Sequence, residues 1–337
     1  MLEQLARRYL PELDSAMRRA VDTLPNAPGF NTMIRYPLGW VDENGQPYSG
    51  TTGKRIRPML LLLCAEAVGG DWRKALPAAA AVEILHNFSL VHDDIQDDSP
   101  TRHNRPTVWA VWGRANAINV GDALFSLAYT ALAMLSEDGI TPDIAVQVWR
   151  IFNRTNQELT RGQHLDMRFE KQLTVTTDEY ISMITGKSAA LIAACAQMGA
   201  LIGAGDPERA AHFYDYGLNL GIAFQIRDDI LGIWGDPVVT GKSAATDILS
   251  RKKSLPVLYG LEKSPALDAL YLREPFGNAE VNSAVDILNA VGAQAYAQEN
   301  ETRYYRAALD ALERANPQGE AADGLMKLTE SLFKRAY

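Results

Sequence analysis

The stretch Leu90–Trp109, "LVHDDIQDDSPTRHNRPTVW", sets four aspartates (Asp93, Asp94, Asp97 and Asp98) within six positions and follows them with Arg102, His103 and Arg105. Upstream, apolar residues recur every three or four positions, which predicts a helix over 77–98 that ends in the acidic run. The segment "SPTRHNRP" cannot continue that helix, because its two prolines and polar turn residues break the pattern. On the helix, His86, Asp93 and Asp97 share one face, with Asp94 adjacent. Carboxylates one turn apart repel each other unless a cation lies between them.

The same periodicity extends outward through 2–23, 56–69, 114–136, 142–164, 178–203, 207–233 and 282–315, whereas alternating runs are short and isolated. An all-α protein is expected. Pro77 falls where a first-turn proline is tolerated, and Gly69-Gly70 can stop the helix before it. Residues 25–53, rich in Pro, Gly and Asn, predict a long loop. Length alone allows one or two domains. With no repeat, low-complexity tract or Ser/Gly linker, a single domain over 1–337 is expected.

Composition narrows the partners. Of the 337 residues 47% are hydrophobic, enough for a large core, and 33 basic against 41 acidic residues give a net charge of -8. That balance, with no long basic run, argues against nucleic acid, which is bound through a basic surface. Cys64 and Cys195 lie in apolar runs without a CxxC spacing, so both are expected as buried small hydrophobes in a reducing, cytoplasmic setting. The N-terminal segment carries charges every few residues and lacks the apolar stretch of a signal peptide. Unbroken apolar runs such as "MLLLLC" fall short of the roughly 20 residues that cross a bilayer, so no transmembrane segment is expected.

A second carboxylate pair, Asp228 and Asp229, appears in "FQIRDDILGIWGDP", with Gln225 one turn earlier. Oxygen-only clusters suit a hard cation, and Mg2+ is commonly held by a few carboxylates together with water and substrate phosphates. One acidic helix end could be a solvated surface. Two of them, each at the polar end of an apolar helix, point to metal. Basic candidates for an anion are Lys54, Arg55 and Arg57 in "GKRIRP", at a helix start where backbone N–H groups and the dipole also favour negative charge. Others are Arg102, Arg105, Lys187 in "TGKSAAL", Lys242 in "TGKSAATD", Lys252 and Lys253. Chelating carboxylates combined with phosphate-binding cations describe a diphosphate site.

With these motifs in view, the sequence resembles the trans-isoprenyl diphosphate synthases of the polyprenyl synthetase family. The likeness runs from "GKRIRP" through "EILHNFSLVHDDIQD", "RHNRPTVW", "GDALF", "RGQHLD", "TGKSAAL", "FQIRDDILG" and "GDPVVTGK" to "KKSLPVL". It implies an all-α class I isoprenoid synthase fold, an antiparallel bundle around a central cavity, in a homodimer. It implies that Asp93, Asp94 and Asp97, together with Asp228 and Asp229, hold three Mg2+ ions on an allylic diphosphate. Arg102, Lys187, Ser188, Gln225, Lys242 and Lys252 would contact that diphosphate, with Arg102, Lys187 and Gln225 closest to the chemistry. Gly53, Lys54, Arg57, His86 and His103 would receive isopentenyl diphosphate, and Gln163 and Asp166 would line the reaction centre.

The implied activity is Mg2+-dependent elongation, in which isopentenyl diphosphate is condensed with an allylic diphosphate to a short all-trans product. Phe88 and Ser89, five and four positions before Asp93, would set its length. One aromatic residue beside a small serine favours C20, geranylgeranyl diphosphate, with C15, farnesyl diphosphate, second. Two departures stand out. Gly232 occupies the third acidic position of the second motif, with Asp236 four residues further on, and His103 stands where the family often has arginine. A histidine there makes the affinity for isopentenyl diphosphate sensitive to pH near its pKa. A class I terpene cyclase and a non-catalytic partner subunit are the alternatives, the first disfavoured because Lys54, Arg57 and His86 would have no task.

Overall fold

The computed structural model describes residues 2–48, 50, 53–172, 174–235, 246–273 and 276–333. Their sixteen α-helices are α1 (Leu2–Val21), α2 (Pro28–Arg35), α3 (Ile56–Ala67), α4 (Leu76–Gln96), α5 (Val108–Trp112), α6 (Arg114–Ala133), α7 (Pro142–Lys171) and α8 (Thr177–Ile184). After a π-helical turn at Thr185–Ala189 come α9 (Ala190–Ala204), α10 (Pro207–Trp234), α11 (Thr246–Leu249), α12 (Leu255–Lys263), α13 (Pro265–Tyr271), α14 (Asn278–Ala290), α15 (Ala293–Ala315) and α16 (Gly319–Phe333). Among the described residues the only strands are two-residue segments, β1 (Thr101–Arg102) and β2 (Arg105–Pro106), paired antiparallel.

The chain packs as two compact units. The first takes in residues up to Trp149, with Met198–Pro207 and Gln318–Gly324. In it, α1 buries Leu5, Tyr9, Leu13 and Met17, the one stripe that a four-residue spacing creates. Helix α3 is apolar on every side and is buried from Pro58 to Ala65, as a central helix must be. Helices α4 and α6 pack along their lengths, and α1 lies against both. The C-terminal end of α9 approaches α3 backbone to backbone. A Cβ on Gly199 would sit 2.1 Å from the Leu61 carbonyl oxygen, and one on Gly203 2.3 Å from that of Ala65.

The second unit takes in Arg150–Gln197, Glu208–Pro317 and the chain from Leu325 onward. One apolar cluster gathers Phe169, Tyr180, Ile184, Ile226, Ile230 and Leu255. A second gathers Ile233, Ile248, Val257, Leu267 and Leu288. Both surround the C-terminal half of α10, which carries the second carboxylate pair. In this unit α10 approaches α9 and the π turn closely, since a Cβ on Gly217 or Gly221 would lie 2.7 and 2.6 Å from the Cα atoms of Ala193 and Ala189.

The expected helices are present with altered bounds. The region expected as loop, 25–53, contains α2, which begins with Pro28 in its first turn. The stretch 282–315 is two helices, parted at Gly292, whose φ of 76° is left-handed. The stretch 178–203 is interrupted by the π turn. Two helical stretches, Arg114–Ser136 and Thr177–Ala204, are long and apolar enough to cross a bilayer by length and composition. Counting unbroken apolar runs overlooked them; 50% and 72% of their apolar windows are buried inside the protein.

Candidate active site

The first carboxylate group sits where α4 ends. Asp93 is half-buried, Asp94 is buried and Asp97, the residue that closes the helix, is exposed. Negative charge at a helix C-terminus is disfavoured by the helix dipole, so this position demands positive compensation. Part of it comes from the residues that follow. The β1–β2 hairpin turns through His103 and Asn104, whose φ values of 50° and 60° are both left-handed, the conformation that a tight two-residue hairpin loop requires. The reversal brings Arg102 back onto the helix, where its Nε donates to Asp94 Oδ1 at 2.8 Å. Burial pushes the Asp94 carboxyl upward, and the Arg102 hydrogen bond opposes that shift. Arg114 pairs with Asp98 and donates to the Ile95 carbonyl at 2.9 Å, closing the helix end.

His103 itself lies exposed at the tip of this hairpin. Arg105 is used differently: its guanidinium lies 4.0 Å from the Tyr36 ring centre and 3.9 Å from that of Tyr48, and it donates to the Val41 carbonyl. It anchors the 36–48 segment.

The second group of basic residues stands at the start of α3. Gly53 has φ 61°, Lys54 is exposed, and Arg55 precedes the helix with φ 44°. Arg57, in the first turn, places Nη1 3.2 Å from His86 Nε2 on α4. A guanidinium can only donate, so Nε2 accepts and the imidazole is neutral. Burial, followed by the charges of Arg57, Arg102 and His103, holds His86 well below the usual imidazole range. One turn earlier lies buried Glu83, its carboxyl raised by burial against the opposing pull of Arg55 and Arg57. Sequence reading passed over Glu83; its signal is a carboxylate three residues before His86 on an otherwise apolar helix.

Phe88 and Ser89 lie in the middle of α4. The Phe88 ring meets Phe125 at 5.1 Å and His92 at 4.8 Å, and the row continues through Tyr129. Ser89 donates to the His86 carbonyl at 2.8 Å. Gly121 of α6 makes room for His92, because a Cβ there would lie 2.0 Å from its Nε2.

In the second unit, neighbouring aspartates on α10 have opposite environments. Asp228 is half-buried, whereas Asp229 is 1% exposed. Asp229 accepts from the Tyr180 hydroxyl at 2.5 Å, Gln225 Nε2 at 3.1 Å and the Leu255 backbone N–H at 3.3 Å. Lys252 Nζ stands 3.8 Å from it. Burial raises the Asp229 carboxyl, and the charge of Lys252 works against that rise. Lys252 loses charge stability by burial, but the surrounding carboxylates of Asp229, Asp247, Asp166 and Asp228 outweigh this and raise its pKa.

The π turn presents two further candidates. Lys187 is ion-paired with Asp166 of α7, and Ser188 donates to Gln225 Oε1 at 2.6 Å. A π turn inserts one residue into the helical register and so re-aims the side chains it carries. Gly162 of "RGQ" allows this arrangement, since a Cβ there would sit 2.1 Å from the Lys187 backbone nitrogen. Ser188, Gln225, Asp229 and Lys252 thus form a continuous polar chain, with the Lys187–Asp166 pair on the same π turn as Ser188. Gln163 is half-buried one position from Gly162. Lys242 and Asp236 lie outside the described residues. Tyr180 and Asp247, both part of this network, were not singled out by the sequence, although Asp247 closes the "TGKSAATD" that carries Lys242.

Among the described residues no three His, Cys, Asp or Glu side chains converge as a preformed metal cage. The donor set nevertheless fits a hard divalent ion: both groups offer only oxygen, and Asp93 and Asp97 stand one helical turn apart at a helix end that disfavours bare negative charge. Such an ion would take most of its remaining ligands from water and phosphate.

The polyprenyl synthetase family model matches residues 39–288. The chain belongs to the polyprenyl synthetase family. A (2E,6E)-farnesyl diphosphate synthase of Mycobacterium bovis is 37% identical over 349 aligned residues, covering 99% of this chain and 95% of that protein. The crystal structure of a geranylgeranyl pyrophosphate synthetase from Pyrococcus horikoshii superposes with a TM-score of 0.88 at 34% identity, covering 99% of this chain and 98% of that one. A polyprenyl synthase from Caulobacter crescentus, complexed with calcium and isoprenyl diphosphate, superposes with a TM-score of 0.82 at 26% identity, covering 100% and 98%. The all-α class I isoprenoid synthase fold and the prenyl-transferring enzyme class expected from the sequence are those of these family members.

Proposed function

We propose that this chain is a Mg2+-dependent short-chain trans-prenyltransferase that condenses isopentenyl diphosphate with an allylic diphosphate, releasing inorganic diphosphate. The observation that carries this reading is the pairing of roles within each acidic motif of a polyprenyl synthetase. Asp94 and Asp229 hold protein donors in place and, together with Asp93, Asp97 and Asp228, are the carboxylates assigned to metal. When bound, Mg2+ supplies positive charge against the negative charge that grows on the leaving diphosphate.

This chain's own residues supply the rest. Lys187, Lys252 and Arg102 bring positive charge to the allylic diphosphate, and Ser188 and Gln225 keep the Lys187 turn in register with α10. Gly53, Lys54, Arg57, His86 and His103 receive isopentenyl diphosphate, with His86 held neutral so that its remaining proton is donated. As the allylic C–O bond breaks, its electron pair leaves with the diphosphate. The double bond of isopentenyl diphosphate then bonds to the allylic carbon, and the proton lost goes to the departing diphosphate. No protein base is required. Apolar residues of α4 and α6 keep water from the cation.

Phe88, backed by Phe125, limits the growing chain at C20, with C15 as the second choice. The reading includes a homodimer working in the cytoplasm. The test is incubation of purified protein with labelled isopentenyl diphosphate, Mg2+ and, separately, C5, C10 and C15 primers, followed by chromatography of the dephosphorylated products. Linear C20 alcohol is expected. A cyclic hydrocarbon, or no product from any primer, refutes the reading.

A further inference from the structure

The register of the β1–β2 hairpin sets Arg102 directly opposite Arg105, and like charges in that relation destabilise a strand pair unless each finds its own partner. Arg102 is held by Asp94. Arg105 packs against two tyrosine rings at once, its guanidinium carbon 4.0 Å from the centre of Tyr36 and 3.9 Å from that of Tyr48. Its Nη2 donates to the Val41 carbonyl at 2.9 Å and its Nη1 to the Tyr36 carbonyl at 3.4 Å. A guanidinium can do both, because its planar face is attracted to aromatic rings while its edge N–H groups donate; an ammonium has no such plane.

The two tyrosines are brought together by a closed loop. Asp42 Oδ1 accepts from the N–H groups of Asn44 and Gln46 at 2.9 and 2.8 Å, Val41 and Pro47 form an antiparallel bridge, and the Tyr48 N–H donates to the Trp40 carbonyl at 3.0 Å. Tyr36 is buried, and its hydroxyl donates to the Pro106 carbonyl at 2.8 Å. The hairpin is therefore fastened to the loop at two consecutive residues, Arg105 and Pro106. The loop in turn reaches the start of α3. Trp40 Nε1 donates to Asp14 Oδ1 at 2.8 Å, and the same oxygen accepts from Arg55 Nη2 at 3.2 Å. A continuous run of contacts thus joins the hairpin that carries Arg102 and His103 to the segment that carries Gly53, Lys54 and Arg57.

We propose that Arg105 is a positioning residue for prenyl transfer, which touches neither diphosphate and instead fixes the hairpin against the 36–48 loop, so that His103 and Arg102 stand in register with the start of α3. This rests on the assignment of those residues to the two diphosphates in the proposed function. Isopentenyl diphosphate is the substrate most affected, because the residues assigned to it lie at both ends of this run of contacts.

The test is a double-mutant cycle on the full chain, read as KM for each substrate and kcat, with thermal melting of every variant. Arg105→Met should raise KM for isopentenyl diphosphate about tenfold, raise that for the allylic primer less, and leave kcat within about threefold. Tyr48→Leu removes no charge and should act in the same direction, and the double variant should be within about twofold of Arg105→Met, since both substitutions break one contact. Arg105→Lys keeps the charge without the plane and should resemble Arg105→Met; it and Tyr48→Leu carry the comparison if Arg105→Met does not fold. Full rescue by lysine, an unchanged KM in Tyr48→Leu, or effects that multiply in the double variant would make Arg105 a direct anion ligand and overturn the assignment. Lower melting with every KM unchanged would reduce Arg105 to a structural role and overturn it too. All of these outcomes leave wild-type turnover intact, whereas a wild-type chain that forms no product overturns the prenyltransferase reading and this assignment with it.

Discussion

Asp228 and Asp229 are adjacent in sequence, and the structure assigns them opposite costs. Asp229→Ala removes the acceptor of the Tyr180 hydroxyl, Gln225 Nε2 and the Leu255 N–H, and the partner of Lys252. A buried donor left without an acceptor costs about 1–3 kcal/mol, and breaking a buried charge pair about 3–5 kcal/mol. The Lys252 contribution is discounted, because that side chain is 38% exposed and its ion pair is screened by solvent. Local rearrangement also keeps the individual costs from adding, so a total of about 3–5 kcal/mol is expected. Unfolding entropy of about 2.1 cal/mol/K per residue gives roughly 0.7 kcal/mol/K for a chain of this length, hence a fall in Tm of about 4–7 °C. Asp228→Ala, at a half-buried carboxylate, should move Tm by less than about 2 °C. Thermal melting of both variants beside Asp229→Asn, which keeps one acceptor oxygen and should fall between them, measures the difference. Equal losses in the two alanine variants, or an Asp229→Ala protein that melts with wild type, would refute the division of roles.

Arg57→Ala removes a charged donor placed on His86 and should raise KM for isopentenyl diphosphate about 10- to 100-fold, the equivalent of about 1.5–3 kcal/mol, and that for the allylic primer far less; equal effects would put Arg57 in the wrong site. Phe88→Ala should open the row that Phe88 forms with Phe125 and shift products to C25 or longer with total isopentenyl incorporation little changed, and an unaltered product distribution would move the floor elsewhere. His86 has a depressed folded-state pKa, so below an unfolded value of about 6.5 the unfolded chain gains a proton that the folded chain refuses. Its contribution is complete above that pH and declines as pH falls toward the folded value. The Tm advantage of wild type over His86→Gln should shrink from pH 7.5 to 5.5, and a constant gap would contradict the neutral assignment.

Much of this was legible in the sequence because helical periodicity and acidic spacing are local properties. Helix α4 and its acidic end follow from spacing alone, whereas Arg57 and His86 were brought together only by the family resemblance. The return of Arg102 to Asp94 was not legible, because it depends on two consecutive left-handed residues, His103 and Asn104, only one of which is a common turn former. Nor were the separate fates of Asp228 and Asp229, which share a helix and differ only in what the rest of the fold places beside them. Tyr180 reads as an ordinary helix aromatic until its hydroxyl is found on Asp229. The π turn that carries Lys187 and Ser188 leaves no mark in the periodicity, although the glycine pair Gly162 and Gly186 hints at a close crossing. Helix α2 was hidden by the very Pro, Gly and Asn content that usually marks loops.

The most direct test of the two-motif account is steady-state turnover of Asp93→Ala and Asp228→Ala with isopentenyl diphosphate, an allylic primer and saturating Mg2+, on proteins whose melting matches wild type. Each variant should lose turnover by two or more orders of magnitude, the scale on which removing charge stabilisation from a developing anion acts. Activity within a few-fold of wild type in both would contradict the assignment of these carboxylates to the metal-bound diphosphate.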